Sequence, residues 1–332
     1  MFCYKNHNFK VILHAGDDDM FRGMEYVYAV YKEKSFSKAA EKLFISQPSL
    51  SANVKREEQC VGYPIFDRST KPLGLTEPGK KYIETVEKIL TMQNEFSEYV
   101  DDLGDLKTGK LVLGGSSLYS SWVLPPLMGQ FAKKYPQVKL ELIEETTANL
   151  QKMLQNGEVD LVLDNCELDE DVFESKMFRK EYLLLAVPKH LGINKALQEF
   201  QVRTTDIRDL SFLEEEVQSI DLSCFSEETF ILLKPENDTR IRAMELCQQY
   251  GFVPNIVFEL DQQMTSYNIT CSGMGISFIS NTLISKVPES ADVVYYKLEG
   301  RESCRNLYFY WKRKSYFSKA MKAFLDLTKA SV

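Results

Sequence analysis

FSKAAEKLFISQPSLSANVKREE, residues 36–58, reads as two short helices separated by a tight turn at residues 44–46. Ala39 and Ala40 are small enough to let a second helix cross close by, while Leu43 and Ile45 cover the junction. Leu50 and Val54, four apart, supply the buried face of the second helix. Ser46 is placed to cap that helix, and Pro48 falls in its first turn, where the N–H groups lack intrahelical partners in any case. The spacing predicts a helix-turn-helix. Its outer face keeps Gln47, Ser49, Ser51, Ala52, Asn53 and Lys55, short groups able to reach base edges when such a helix lies in a major groove. A generic helical hairpin would show water the same polarity, so the neighbouring sequence has to decide.

Upstream, Tyr26, Val27, Val30 and Tyr31 recur at helical spacing from Met24. Residues 1–23 show no sustained apolar periodicity, end in an Asp17-Asp18-Asp19 run and read as an N-terminal extension. Downstream, residues 64–68 and 73–75 are short extended pieces joined by Ser69-Thr70-Lys71-Pro72, a hairpin that would carry Arg68 and Lys71 as a wing. Thr76-Glu77-Pro78 then opens a long helix. Tyr82, Val86, Ile89, Gln93, Phe96, Val100 and Leu103 alternate by four and three along it, predicting a dimer seam in preference to a helix lying on its own domain. Residues 24–82 hold ten Lys and Arg against seven Asp and Glu, a local +3 in a chain of net −8. A basic head on an acidic body points to a polyanionic partner for the head, and to DNA in particular.

The chain has 332 residues, 44% hydrophobic and 27% charged, which excludes disorder and predicts two or three domains. Seven scattered cysteines without a CxxC imply reduced thiols, and the three histidines lie near no ligand set for zinc, so neither metal nor cofactor is expected. No leader and no apolar run of bilayer length appear, hence a cytoplasmic protein without membrane contact is expected.

After Lys110 the pattern alternates: strands at residues 111–114, 138–144 and 159–163 are separated by helices at 121–135 and 147–155. It returns with strands at 230–233, 256–260 and 276–279 around helices at 238–250 and 262–272. Two α/β lobes follow, with the chain crossing at residues 164–180 and returning within 281–311; residues 189–228 carry little pattern. Ligands of open α/β lobes sit beyond strand C-termini, where this sequence places Ser116, Ser117, Ser120, Thr146, Thr147, Asp164 and Asn165 in the first lobe and Thr239, Gln263 and Ser280 in the second. Hydroxyls and amides at helix N-termini favour a small polar effector, an organic acid for example. The rival readings, an α/β enzyme or a stand-alone binding protein, find no GxSxG, P-loop, HExxH or strand-linked GxGxxG here, and neither accounts for the helix-turn-helix.

The segment SFSKAAEKLFISQPSLSANVKREEQCVGYPIFDRSTKPLGLTEPGKKYIETVEKIL resembles the LysR-type transcriptional regulators, with the SQPSLS turn, PIFDR hairpin and LTEPG helix start in order. Looser similarity continues through GQFAKKYPQVKLEL, LQNGEVDLVL and GMGISFIS. The resemblance implies a winged helix-turn-helix over residues 24–81, a linker helix over 82–108 that pairs subunits, and an effector domain over 109–332. That domain would comprise two subdomains of periplasmic-binding-protein type, the first about 109–180 plus the returning C-terminal segment, the second about 181–285. It places Ser46, Gln47, Pro48, Ser49, Ser51 and Ala52 at the groove edge and Arg68 near the backbone. Many relatives carry Arg where Ala52 stands, so Asn53, Lys55 or Arg56 would compensate. The implied partners are double-stranded DNA bearing an inverted repeat, a small-molecule effector, and further copies of the chain as a homodimer or homotetramer.

Overall fold

A computed structural model describes residues 20–103, 106 and 109–329. It divides into two units, Met1–Gln93 and Asn94–Val332. In the first, α1 (Met24–Glu33) buries Val27 and Val30, and α2 (Phe36–Lys42) buries Ala39 and Ala40. The small alanines admit α3 (Gln47–Val61), which turns Leu50, Val54 and Glu57 inward and stops at Gly62 in the left-handed conformation that glycine adopts at low cost. The wing strands β1 (Phe66–Asp67) and β2 (Gly74–Leu75) are only two residues each. They are shorter than expected because Asp67 closes the turn, accepting from the Ser69 N–H and hydroxyl while its carbonyl takes the Thr70 hydroxyl.

Helix α4 (Glu77–Leu103) starts where Thr76 accepts from the Gly79 N–H at 3.0 Å and donates to the Pro64 carbonyl at 2.6 Å. Gly79 is required there, since a Cβ would fall 2.0 Å from the Ile65 carbonyl oxygen. The expected seam divides. Tyr82 and Val86 are buried in the head's own core, whereas Phe96 is 68% and Leu103 70% exposed. Residues 20–23, the end of the stretch read as an extension, lie against the head. Phe21 stacks on Tyr82 at 5.1 Å, and the Phe21 and Gly23 N–H groups donate to the Glu57 carboxylate at 2.6 and 2.8 Å. The rest of that stretch, residues 1–19, lies outside the described residues.

In the second unit, β3 (Lys110–Gly115), α5 (Ser117–Trp122), α6 (Leu124–Lys134), β4 (Lys139–Glu144), α7 (Thr147–Gln155) and β5 (Leu161–Asp164) form the alternating lobe. The helix expected over residues 121–135 is broken at Val123, because Pro125 and Pro126 lack the N–H groups needed to continue α5 and instead start α6. Next comes β6 (Phe173–Pro188), sixteen residues long where only a crossing was expected. The weakly patterned stretch holds short 3-10 turns, β7 (Gln201–Val202) and α8 (Thr204–Arg208). The second lobe follows with β8 (Thr229–Leu233), α9 (Asp238–Gln249), β9 (Asn255–Leu260), α10 (Gln263–Cys271), β10 (Ile276–Ser280), α11 (Asn281–Ile284) and β11 (Val293–Lys297). Finally β12 (Cys304–Lys312) and α12 (Lys319–Thr328) return to the first lobe.

The strand order is β4-β3-β5-β12-β6-β10-β8-β9, with β11 paired to the far part of β6 and β7 paired to β11. Strand β6 belongs to both lobes: residues 173–182 pair antiparallel with β12, and residues 183–188 pair with β10 and β11. The sheet is therefore mixed at its centre, although the alternating segments on either side are parallel. One core packs α5, α6 and α12 on the first lobe, and two more clusters flank the second.

The last turns of α4 are anchored within this unit. Asp102 accepts from the Tyr316 hydroxyl and the Lys319 N–H, both at 2.8 Å. Glu98 is paired with Asp160, which also accepts from the Val112 N–H at 2.6 Å. Burial raises both carboxyls, Glu98 up to about 8, with Asp160, Glu95 and Asp102 adding to the rise in Glu98; Lys110 pulls against it at Asp160, while Glu141 adds to the rise there.

Candidate nucleic-acid interface and effector cleft

Helix α3 has one buried stripe and one free face. Ser46 caps it, its hydroxyl accepting from the Ser49 N–H at 3.3 Å. Gln47, Pro48, Ser49, Ala52, Lys55 and Arg56 are exposed, with Ser51 and Asn53 half-buried. Arg56 donates to Asn53 at 3.5 Å along this face. Phe44, in the preceding turn, has a φ of +55° and is 96% exposed. On the wing, Lys71 is exposed, whereas Arg68 is partly engaged: its guanidinium lies 5.1 Å from the centre of the Phe36 ring and 3.5 Å from Glu58.

Two carboxylates that sequence reasoning missed hold this head together. Glu57 accepts from Phe21, Gly23 and the Tyr82 hydroxyl, the last at 2.8 Å. Glu58 accepts from the Ile65 N–H at 2.9 Å and fixes the start of the wing. Glu57 had a signal, because a carboxylate seven residues after Leu50 falls on the apolar stripe of its own helix.

In the second unit the candidate effector residues fall into two groups. Ser116, Ser117, Thr146 and Asn165 are incompletely buried at the strand ends, where Thr146 is occupied as the α7 cap and Thr147 donates to Asp164 at 2.8 Å. The others are turned inward. Ser120 donates to the Gly115 carbonyl, Ser280 caps α11, and Gln263 donates to Thr239 at 2.9 Å while accepting from the Ser280 N–H. Asp164 is buried and accepts from the Asn165 and Cys166 N–H groups; desolvation raises its pKa against those bonds. The neighbouring Cys166 thiol is pushed up to about 12 by burial and then by Asp164, which keeps it from forming a thiolate.

Beneath these residues lies a charged set with no sequence signal. Arg305 of β12 stands directly across from Glu181 of β6, and donates to it at 2.6 and 2.8 Å and to Asp238 at 2.7 Å. Asp238 also accepts from Arg242 at 2.9 Å. Besides Arg305–Asp238, Ser117 donates to Gln262 at 3.1 Å and Asn165 donates to Asp238 at 2.5 Å from one lobe to the other.

An exposed, capped helix beside a wing, followed by two α/β lobes meeting at a polar junction, defines a ligand-responsive DNA-binding regulator. Comparison with known proteins agrees. The profile described as "Bacterial regulatory helix-turn-helix protein, lysR family" matches residues 21–80, and "LysR substrate binding domain" matches residues 104–332. The chain belongs to the LysR family. It is a transcriptional regulator with a helix-turn-helix DNA-binding domain and an effector-binding domain, not an enzyme. Regulators of this family bind DNA and small-molecule effectors and are oligomeric.

Among its relatives, the HTH-type transcriptional regulator YcgK of Bacillus subtilis is 28% identical over 319 residues, covering 93% of this chain and 94% of the relative. A probable RuBisCO transcriptional regulator of Trichormus variabilis is 29% identical, covering 89% of this chain and 83% of the relative. The fold is shared with a full-length single-substitution variant of OxyR from Pseudomonas aeruginosa (TM-score 0.65, 21% identity, 92% and 93% of the two chains). It is also shared with full-length CbnR in complex with its target DNA (TM-score 0.61, 17% identity, 95% and 100%). Among the described residues, no helix is long and apolar enough to cross a membrane.

Proposed function

We propose that the chain reads an inverted-repeat operator as a homodimer or homotetramer, using Ser46, Gln47, Pro48, Ser49, Ser51, Ala52, Asn53, Lys55 and Arg56 of α3 at the groove, with Arg68 and Lys71 on the backbone. The observation carrying this reading is the exposed polar face of α3 opposite its buried Leu50, Val54 and Glu57. Backbone contacts position such a head, while base contacts discriminate and are worth about 1–3 kcal/mol each. Gln47→Ala is expected to lower the ratio of operator to random-DNA affinity. Arg68→Ala is expected to weaken both and to flatten the salt dependence. Footprinting the chain's own promoter region and titrating both duplexes at several salt concentrations is the test; equal loss on both duplexes for Gln47→Ala removes its assigned role.

The effector would lie between the lobes, against Ser116, Ser117, Thr146, Thr147 and Asn165 on one side and Gln262 and Gln263 on the other. Asp164, Thr239, Ser120 and Ser280 would shape the floor through the bonds described above. Since Arg305 is already paired with Glu181 and Asp238, an organic acid would have to displace Asp238 to reach that guanidinium. A polar, hydroxyl- or amide-matching metabolite fits with less rearrangement. Calorimetric titration with carboxylic acids, amino acids and sugars separates these classes, with Ser117→Ala weakening whichever binds.

A further inference from the structure

We infer that Asn165 and Asp238 form a closure latch that couples the distance between the lobes to the buried ion pair in the strands connecting them. This rests on the two-lobed effector reading, and it makes Asn165 a positioning residue in place of a ligand contact. Five side chains form a closed ring. The Tyr119 hydroxyl donates to Asn165 at 3.0 Å, Asn165 donates to Asp238 at 2.5 Å, Arg305 donates to Asp238 at 2.7 Å and to Glu181 at 2.6 Å, and Tyr119 lies 3.2 Å from Glu181. Tyr119 and Asn165 belong to the first lobe and Asp238 to the second. Glu181 and Arg305 sit on the crossing strands, next to the point where β6 leaves β12 for β10.

Two features leave the ring poised. Tyr119 has one hydroxyl proton and two acceptors within reach, so it cannot fully serve Asn165 and Glu181 together. Glu181 is fully buried and its Oε1 has no partner, leaving a carboxylate short of a donor while the lobes are closed. Separation of the lobes breaks the Asn165–Asp238 bond and draws Asp238 away from Arg305, whose other partner is Glu181. An occupant that spreads or draws in the lobes by the length of one hydrogen bond thus changes the pairing at the crossing strands.

Hydrogen exchange on the full chain without effector tests this. In Asn165→Leu, and separately in Asn165→Asp where two carboxylates would face each other, amides of residues 165–167 and 237–241 should exchange about tenfold faster. The thermal midpoint of the same samples reports whether the unit is still folded. Faster exchange confined to these amides, with the thermal midpoint kept, supports the latch; parent-like exchange in the single variants overturns it. No effector is used, so failure here leaves the effector reading to its own titration.

Discussion

Glu57 shows how much a single side chain can organise. Its carboxylate accepts two backbone N–H groups ahead of α1 and the Tyr82 hydroxyl from α4, and it is 3% exposed. Replacing it by alanine strands three donors in a place water reaches poorly, at about 1–3 kcal/mol for each donor left unmade. Glu57→Ala should therefore lower the stability of the head by at least about 3 kcal/mol in denaturant titration. Glu57→Gln, which keeps an acceptor oxygen, should lose less. A head as stable in the alanine variant as in the parent would show that these bonds are exchanged for water at no net loss. The exposed face of α3 proposed for the groove was legible in the sequence because spacing alone separates it from Leu50 and Val54. Glu181, Arg305 and Asp238 were not, because they meet only through strand pairing and contacts between positions far apart in the chain.

At the scale of elements, capping chemistry and periodicity located the helices well. Ser46, Thr146 and Ser318 each accept from the first turn of the helix they precede. What failed was β6, whose outer part mixes buried, half-buried and exposed residues irregularly and whose inner part, residues 183–188, is continuously buried, so no single period describes it. The heptad in α4 was real but served two purposes, its first residues packing inside the head and its later ones pointing outward. The end of the same helix should respond to acidity. Glu98 and Asp160 are both held above the ordinary carboxylate range, so the folded chain binds more protons than the unfolded one. Their contribution is complete below that range and is lost as pH rises toward about 8, the value for Glu98. Glu98→Gln keeps a donor for Asp160 without titrating, and should flatten the decline in the thermal midpoint of the second unit over that interval. An unchanged slope would mean that the pair does not share a proton.

For the whole molecule, the apolar residues left uncovered on α4 set the expectation for assembly. Met92, Phe96 and Leu103 are each about two-thirds exposed, more than a lone helix normally leaves in water. Phe96→Lys should shift the chain toward monomer in sedimentation or light scattering, and lower operator affinity through loss of the second head. A variant that assembles as the parent does would place the subunit contact elsewhere.

The route of the chain through its sheets also orders its birth. The head needs nothing beyond α4, and the second lobe has all its strands once residue 297 has been made, but the first lobe lacks an inner strand until β12 emerges. A ribosome stalled before residue 304 would therefore release a product with a finished DNA-binding end and two raw strand edges, on β5 and β6, open to pairing with another chain. Incomplete translation of this gene should yield sticky fragments in place of harmless ones.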